Sequence, residues 1–202
     1  MKILQKGAEA TIYLNKNKII KQREKKLYRI QQIDLDKTKY PTRREAKILT
    51  DAKGFGVNVP TVFLVDESSF CLEIEFLKGK TLKDDYDRLK NKRDILKEFG
   101  RQIAILHNHD IIHGDLTTSN VILHKDKVYL IDFGLSFYSP KIEDKAVDIH
   151  LLKQVLQAKH YKNFEEDFSF ILDGFKNSKN YKYVLERLKK VEKRGRYKQK
   201  NF

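Results

Sequence analysis

The sequence predicts an α+β chain of two lobes, a strand-rich N-terminal lobe and a reduced, mainly helical C-terminal one. Three observations predict it. Short β-branched and aromatic runs broken by polar turns fill most of the first 77 residues, apolar residues at helical spacing fill most of the rest, and the chemically interesting polar motifs fall on loops. At 202 residues, 40% hydrophobic and 35% charged, the chain can bury a real core under a densely charged surface.

In the first lobe, residues 11–14 and 18–21 flank Asn15-Lys16-Asn17, which predicts a hairpin. Residues 22 to about 32 read as a basic helix, whose Arg23, Lys25, Lys26 and Arg29 either face solvent or contact a polyanion. A second helix is expected after Pro41, with Thr42 as its cap, Glu45 three residues on, and Ala46 and Leu49 as its apolar edge. Gly54, Gly56 and Pro60 end it, and residues 61–65 and 70–76 form another hairpin. Lys78-Gly79-Lys80 marks a break, so the expected division is 1–77, 78–186 and a basic tail, 187–202. In the second lobe Ile95, Phe99, Ile103 and Leu106 describe one buried helical face. Two short strands, 121–123 and 128–131, follow around a polar turn. Val147, Leu151 and Val155 mark a further helix, Phe164, Phe168, Ile171 and Phe175 the next, and Val184, Leu188 and Val191 the last.

Composition excludes several classes. No apolar run approaches the length of a membrane span, the first residues lack the apolar core of a signal peptide, and Cys71 is the only cysteine. A cytoplasmic setting fits, without disulfides or cysteine-held metal. The net charge is +14, and half of that excess lies between Arg187 and Lys200. There Arg187, Lys189, Lys190, Lys193, Arg194, Arg196, Lys198 and Lys200 face one acid, Glu192. Such a run attracts polyanions, nucleic acid foremost; the plainer alternative is a solvated helix end.

The segment richest in chemistry is Ile111-Ile112-His113-Gly114-Asp115-Leu116-Thr117-Thr118-Ser119-Asn120-Val121. Asp115 and Asn120 stand five apart on a loop entering a predicted strand, and twelve residues later the next strand ends in Asp132-Phe133-Gly134. Two carboxylates and a carboxamide on one loop and one strand end suit Mg²⁺, which takes few protein ligands and completes its shell with water and phosphate oxygens. Asp115 is the candidate to orient, or accept a proton from, an attacking hydroxyl or water. His107, His109 and His113 are close in sequence, but His107 closes an apolar helix and His113 belongs to the loop motif, which favours structural roles over zinc.

His-Gly-Asp, four residues, Asn, and then Asp-Phe-Gly resembles the catalytic and metal loops of protein-kinase-like enzymes, which usually read His-Arg-Asp in the first. The resemblance implies ATP and Mg²⁺ as cofactors, Asp115 and Lys21 as catalytic residues, and Asn120 and Asp132 as metal ligands. Leu4, Gly7, Ala8, Glu9, Ala10 and Ile12 overlay the glycine-rich loop at its apolar ends and its middle glycine only. Ile19-Ile20-Lys21 resembles the strand lysine that reaches the phosphates, with Glu45 as its partner. Glu75 and Leu77 fall where the backbone of an interlobe hinge would face adenine. Gly114 replaces an arginine that reads activation-segment phosphate in many kinases, and no Ala-Pro-Glu follows Gly134. There is little room for an activation segment or a peptide-docking platform.

Together, Gly7-Ala8-Glu9-Ala10, Thr42-Arg43-Arg44-Glu45-Ala46, the 112–120 loop, Glu143-Asp144-Lys145-Ala146-Val147-Asp148 and Arg194-Gly195-Arg196 resemble the small atypical kinase subunits of the KEOPS complex. That resemblance implies a cytoplasmic serine/threonine kinase or ATPase supporting threonylcarbamoyladenosine formation on tRNA. It implies the threonylcarbamoyl-transferring subunit, other KEOPS subunits and tRNA as partners, with no membrane. Two alternatives stand beside it: a small-molecule phosphotransferase, for whose substrate pocket the short second lobe has little chain to spare, and a non-enzymatic RNA-binding scaffold, which has no need of Lys21, Asp115, Asn120 and Asp132 together.

Overall fold

Alternating residues in the first part of the chain build an antiparallel sheet of five strands, ordered β1-β2-β3-β5-β4. These are β1 (Lys2–Lys6), β2 (Ala10–Asn15), β3 (Lys18–Arg23), β4 (Val62–Asp66) and β5 (Cys71–Glu75). The structure is a computed structural model that describes residues 1–7, 9–25 and 35–198, with side chains as far as Arg194. Both predicted hairpins are present: Asn15 pairs with Lys18 across a two-residue turn, and β4 pairs with β5. The basic stretch after the first hairpin differs from expectation. Gln22 and Arg23 are the last residues of β3, paired with Thr11 and Ala10, while Lys26 and Arg29 lie outside the described residues.

Under the sheet runs α1 (Lys39–Gly54), whose Ile48, Leu49 and Ala52 join Leu72 of β5 in the core. The helix begins at Lys39, earlier than the sequence suggests, with Thr38 at its cap position. Pro41 sits in the first turn, where its missing N–H has no intrahelical acceptor to lose. Thr42 is inside the helix, and its hydroxyl donates to the Thr38 carbonyl at 2.8 Å.

The chain then enters a three-stranded sheet, β6 (Lys80–Thr81) pairing with β8 (Val121–His124) and β8 with β9 (Lys127–Leu130). A second pair joins β7 (Ile111–Ile112) to β10 (Phe137–Tyr138). Among the described residues the α-helices that accompany them are α2 (Leu82–Asp85), α3 (Lys92–Asn108), α4 (Ile142–Lys159), α5 (Phe164–Phe175) and α6 (Tyr181–Lys198). The faces predicted for α3, α5 and α6 are the buried ones, with Phe99, Ile103, Leu106, Ile171, Phe175 and Val184 fully enclosed. Where α3 crosses α5 the backbones touch. A Cβ on Gly100 would stand 1.9 Å from the Ile171 carbonyl oxygen, and one on Gly174 would stand 1.8 Å from that of Lys97.

The predicted face of α4 is displaced. Its inward residues are Lys145, Ala146, Asp148, Ile149, Leu152 and Leu156, while Val147 is exposed. Two charged residues take the inner positions, Asp148 bonding buried His107 and Lys145 bonding half-exposed Asp110, which a hydrophobicity pattern cannot reveal. The expected tail is also different in kind. Residues 187–198 continue α6 and pack along α4, with Leu188 buried, Arg187 and Arg194 each 3.0 Å from Glu143, and Lys153 2.8 Å from Glu192. Among the described residues no helix is long and apolar enough to cross a membrane.

Candidate active site

The predicted site residues fall into two hydrogen-bonded clusters. In the first, Lys21 of β3 points its ammonium at Glu45 Oε1 of α1, 2.9 Å away, and at Asp132 Oδ1, 2.8 Å away. Burial alone pushes the Lys21 pKa down, but the two carboxylates outweigh it and hold the ammonium above its ordinary range. Asp132 shows the converse. Burial pushes its carboxyl up, and the charge and hydrogen bond of Lys21, with the Gly134 N–H, bring it below the usual carboxylate value. Asp132 is therefore ionised at neutral pH, with its side chain about half exposed (48%). Its backbone is left-handed, at φ 60°.

Arg23 completes this cluster, and sequence reasoning missed it. Lying two residues after Lys21, it shares that residue's face of β3. It is 4% exposed, bonds Glu45 Oε2 through Nη2, and donates from Nη1 to the Thr42 hydroxyl at 3.1 Å. Glu45, 2% exposed, thus has a cation on each oxygen. The period-two signal was available, but reading the stretch from Gln22 as helix hid it.

The second cluster is the 113–120 loop. The Asn120 amide spends both N–H bonds on Asp115, 2.8 Å to Oδ2 and 2.9 Å to the carbonyl. That choice leaves Asn120 Oδ1 as the amide's acceptor; the flipped amide would press oxygen against carboxylate. The Ile131 N–H donates to the Asn120 carbonyl at 3.0 Å, which brings Asn120 beside Asp132 at one end of the β8–β9 ladder.

His113 braces the loop from inside. Its Nε2–H donates to the Ile131 carbonyl at 3.1 Å and its Nδ1 accepts from the Asp115 N–H at 3.3 Å, which specifies the neutral tautomer. Burial pushes its pKa down, with nearby Asp148, Asp132 and Asp115 opposing the shift. The unfolded chain therefore binds the proton more readily, and stability should decline as pH falls below the ordinary value of 6.5. Thermal unfolding at about pH 7.5 and pH 5.5 should show a lower Tm in acid. The slope should be shallower in His113→Gln, though not flat, because burial also depresses His150 and His160.

Asp148 of α4, part of the Glu143–Asp148 motif but given no role by the sequence, anchors the loop backbone. It accepts from the His113 N–H at 3.0 Å, the Gly114 N–H at 2.9 Å and His107 Nε2 at 3.0 Å. One turn earlier, buried Lys145 reaches Asp110 Oδ1 at 2.6 Å, just before β7. Gly114 has φ 80°, and a Cβ there would lie 2.6 Å from the Leu135 carbonyl oxygen, so the motif's glycine has a local steric reason. His109 stacks on Phe55 with centroids 3.7 Å apart. Among the described residues no three His, Cys, Asp or Glu side chains converge as a metal cage.

The other nucleotide-loop candidates sit on the first sheet. Ile12 pairs with Lys21 and Ala10 with Arg23. The Gly7 N–H donates to the Ala10 carbonyl at 2.9 Å, closing the β1–β2 turn on which exposed Glu9 lies. Leu4 sits exposed at a bulge in β1, and Ala8 lies outside the described residues. Glu75 turns its carboxylate to Thr61, accepting from the hydroxyl at 2.7 Å, and Leu77 is buried. Of the basic run, Lys189, Lys190, Lys193 and Arg194 are on α6; the side chains of Arg196 and Lys198, and all of Lys200, lie outside the described residues.

Comparison with known proteins gives this geometry a family. The RIO domain matches residues 2–167. The "KEOPS complex subunit Bud32" of Pyrococcus abyssi is 42% identical, and the alignment covers all of this chain and 99% of that protein. A "Probable bifunctional tRNA threonylcarbamoyladenosine biosynthesis protein" from Methanobrevibacter smithii and another from Methanocaldococcus jannaschii are each 40% identical over 96% of this chain, which spans only 36% and 37% of their length. Among solved structures, WaaP in complex with acyl carrier protein superposes with a TM-score of 0.64 at 14% identity, covering 95% of this chain and 88% of WaaP. The bifunctional kinase-methyltransferase WbdD gives 0.59 at 20% identity, covering 83% of this chain and 42% of WbdD. These two speak to the fold alone, which is kinase-like. The chain belongs to the RIO-domain family of protein-kinase-like proteins, on the branch that includes the KEOPS subunit Bud32.

Proposed function

We propose that this chain is a Mg²⁺·ATP-dependent atypical serine/threonine kinase or ATPase that supports threonylcarbamoyladenosine formation on tRNA within a KEOPS-type complex. The observation that carries the chemistry is Lys21 held between Glu45 and Asp132 while Asn120 is pinned to Asp115 at the end of the adjoining ladder. The relatives carry the biological setting. This chain spans little more than a third of the bifunctional relatives; a threonylcarbamoyl-transferring subunit, further KEOPS subunits, tRNA and a cytoplasmic location make up the rest of the reading.

In this reading residues 1–77 form the nucleotide-binding lobe and 78–186 the catalytic lobe. The Asp132 carboxylate and Asn120 Oδ1 are hard oxygen donors that would hold Mg²⁺, which would supply positive charge to offset that developing on the phosphate. Lys21, kept charged and positioned by Glu45, contacts the phosphates beneath the 4–12 loop. Glu75 and Leu77 border the adenine. Asp115, oriented by the Asn120 amide, directs water or a hydroxyl at the γ-phosphate. Catalysis is then mainly positioning and charge stabilisation.

The deciding measurement is Mg²⁺-dependent ATP turnover by wild type, Lys21→Ala and Asp132→Ala, with and without tRNA and the transferring subunit. Turnover in wild type, stimulated by partners and abolished in both folded variants, is expected. A folded variant that keeps wild-type turnover defeats the assignment, and no turnover under any condition favours the scaffold reading.

The basic run is proposed as the polyanion contact. Because Leu188 is buried and Glu192 pairs with Lys153, cutting the chain before this segment would strip packing from α4. Replacing Lys189, Lys190 and Lys193 with glutamine leaves that packing in place. tRNA affinity should fall and its salt dependence flatten by up to about one unit of log–log slope for each phosphate no longer neutralised. An unchanged slope returns the run to a solvated helix end.

A further inference from the structure

Glu45 serves Lys21 only while α1 keeps its orientation on the sheet. Kinases that are switched by phosphorylation hold the corresponding helix through their activation segment. Here the chain passes from Gly134 through a short turn and β10 directly into α4 at Ile142, which leaves no such segment. The same short stretch carries a substitute. Tyr138 of β10 donates its hydroxyl to Asp51 Oδ2 of α1, and Lys47, one turn earlier, bonds that same oxygen at 2.6 Å and lies 5.5 Å from the centre of the Tyr138 ring. The other end of Tyr138 is equally placed, because β10 pairs Tyr138 with Ile111 and Phe137 with Ile112, immediately before His113. A second tie lies one turn beyond, where Phe55 stacks on His109 at an interplanar angle of 3°.

We infer that Tyr138 is a positioning residue that latches α1 to the strand pair entering the catalytic loop, holding Glu45 against Lys21 without phosphorylation. The inference rests on the proposed function for its kinetic consequence, but not for its structural one. Tyr138 does not touch the reacting atoms; it acts through Asp51, α1 and Glu45. Its hydroxyl bonds a carboxylate, a stronger arrangement than a neutral pair, although both side chains are partly exposed.

The test compares wild type with Tyr138→Phe, Asp51→Leu and Asp51→Asn. The first two are expected to lower kcat/KM for ATP about 5-fold, with little change in Tm. Asp51→Asn, which keeps an acceptor for the hydroxyl, should stay near wild type. Placed on Glu45→Gln, Tyr138→Phe should add nothing, since the residue it positions is already gone. Independently of any nucleotide, hydrogen exchange in α1 (Lys39–Gly54) should quicken in Tyr138→Phe while α3 and α5 hold their rates. Unchanged exchange in α1, or a full 5-fold loss on top of Glu45→Gln, overturns the inference. If wild type proves to turn over no ATP, the proposed function fails and the exchange experiment alone decides the latch.

Discussion

Gly114→Arg, which restores the residue protein kinases usually carry between the histidine and the aspartate, is expected to abolish turnover rather than add a regulatory handle. Two independent costs meet at this position. The backbone is at φ 80°, where any side chain costs about 1–2 kcal/mol. The new Cβ would also stand 2.6 Å from the Leu135 carbonyl oxygen, inside contact distance of backbone that cannot swing away. Relief requires the 113–115 backbone to shift, and that backbone is fixed by Asp148 through the His113 and Gly114 N–H groups. Asp115 moves with it. We expect ATP turnover to fall at least about 100-fold, the scale at which an angstrom-level misplacement of a reacting group is felt, together with a lower Tm. Gly114→Ala should show most of the same loss, because the clash is at Cβ. If Gly114→Ala is active and stable, the loop is looser than its hydrogen bonds require.

Arg23→Met should strongly destabilise the first sheet. It leaves a nearly enclosed Glu45 with one cation in place of two and strips the Thr42 hydroxyl of its donor. Removing one partner of a buried pair costs about 3–5 kcal/mol, and because Lys21 still holds Oε1 the lower end applies. For a chain of this length that is a fall of roughly 6–12 °C in Tm. The distinguishing control is Arg23→Met combined with Glu45→Gln. Removing the orphaned charge should recover much of the stability while leaving nucleotide chemistry impaired. If the double variant is no more stable than Arg23→Met, the loss comes from packing of the arginine stem and not from charge.

Much of the fold and site was legible because the informative residues are local in sequence. Asp115 and Asn120 share one loop, Asp132 ends a strand, and the apolar faces of α3 and α5 repeat at helical spacing. What was not legible depended on contacts between distant segments. Arg23 reads as one more cation in a lysine-rich run until α1 brings Glu45 to it across 22 positions. Asp148 and Lys145 look like solvent-facing charges, yet they occupy the inner face of α4 because their partners are on the 107–114 stretch. The basic residues after Arg187 suggested a tail because apolar periodicity fades at Val191, although the helix continues to Lys198. In sequence Gly114 stands out only for the arginine it replaces; its actual constraint is a carbonyl twenty-one residues away.

The contact of bare backbones at Gly100 and Gly174 bears on how such a chain is made. Neither glycine can find its partner until the intervening residues are in place, so α3 emerges from the ribosome without the surface it packs on. The whole 113–120 loop lies between the two, and its anchor Asp148 does too. During synthesis, which runs N-terminal first, the first sheet and α1 can close early, because all their residues precede Phe76. The loop that would direct the attacking group is held only once α4 has brought Asp148 to it. A nascent or prematurely ended chain therefore has the first sheet but no ordered catalytic loop, and catalytic competence arrives as one of the last events of folding.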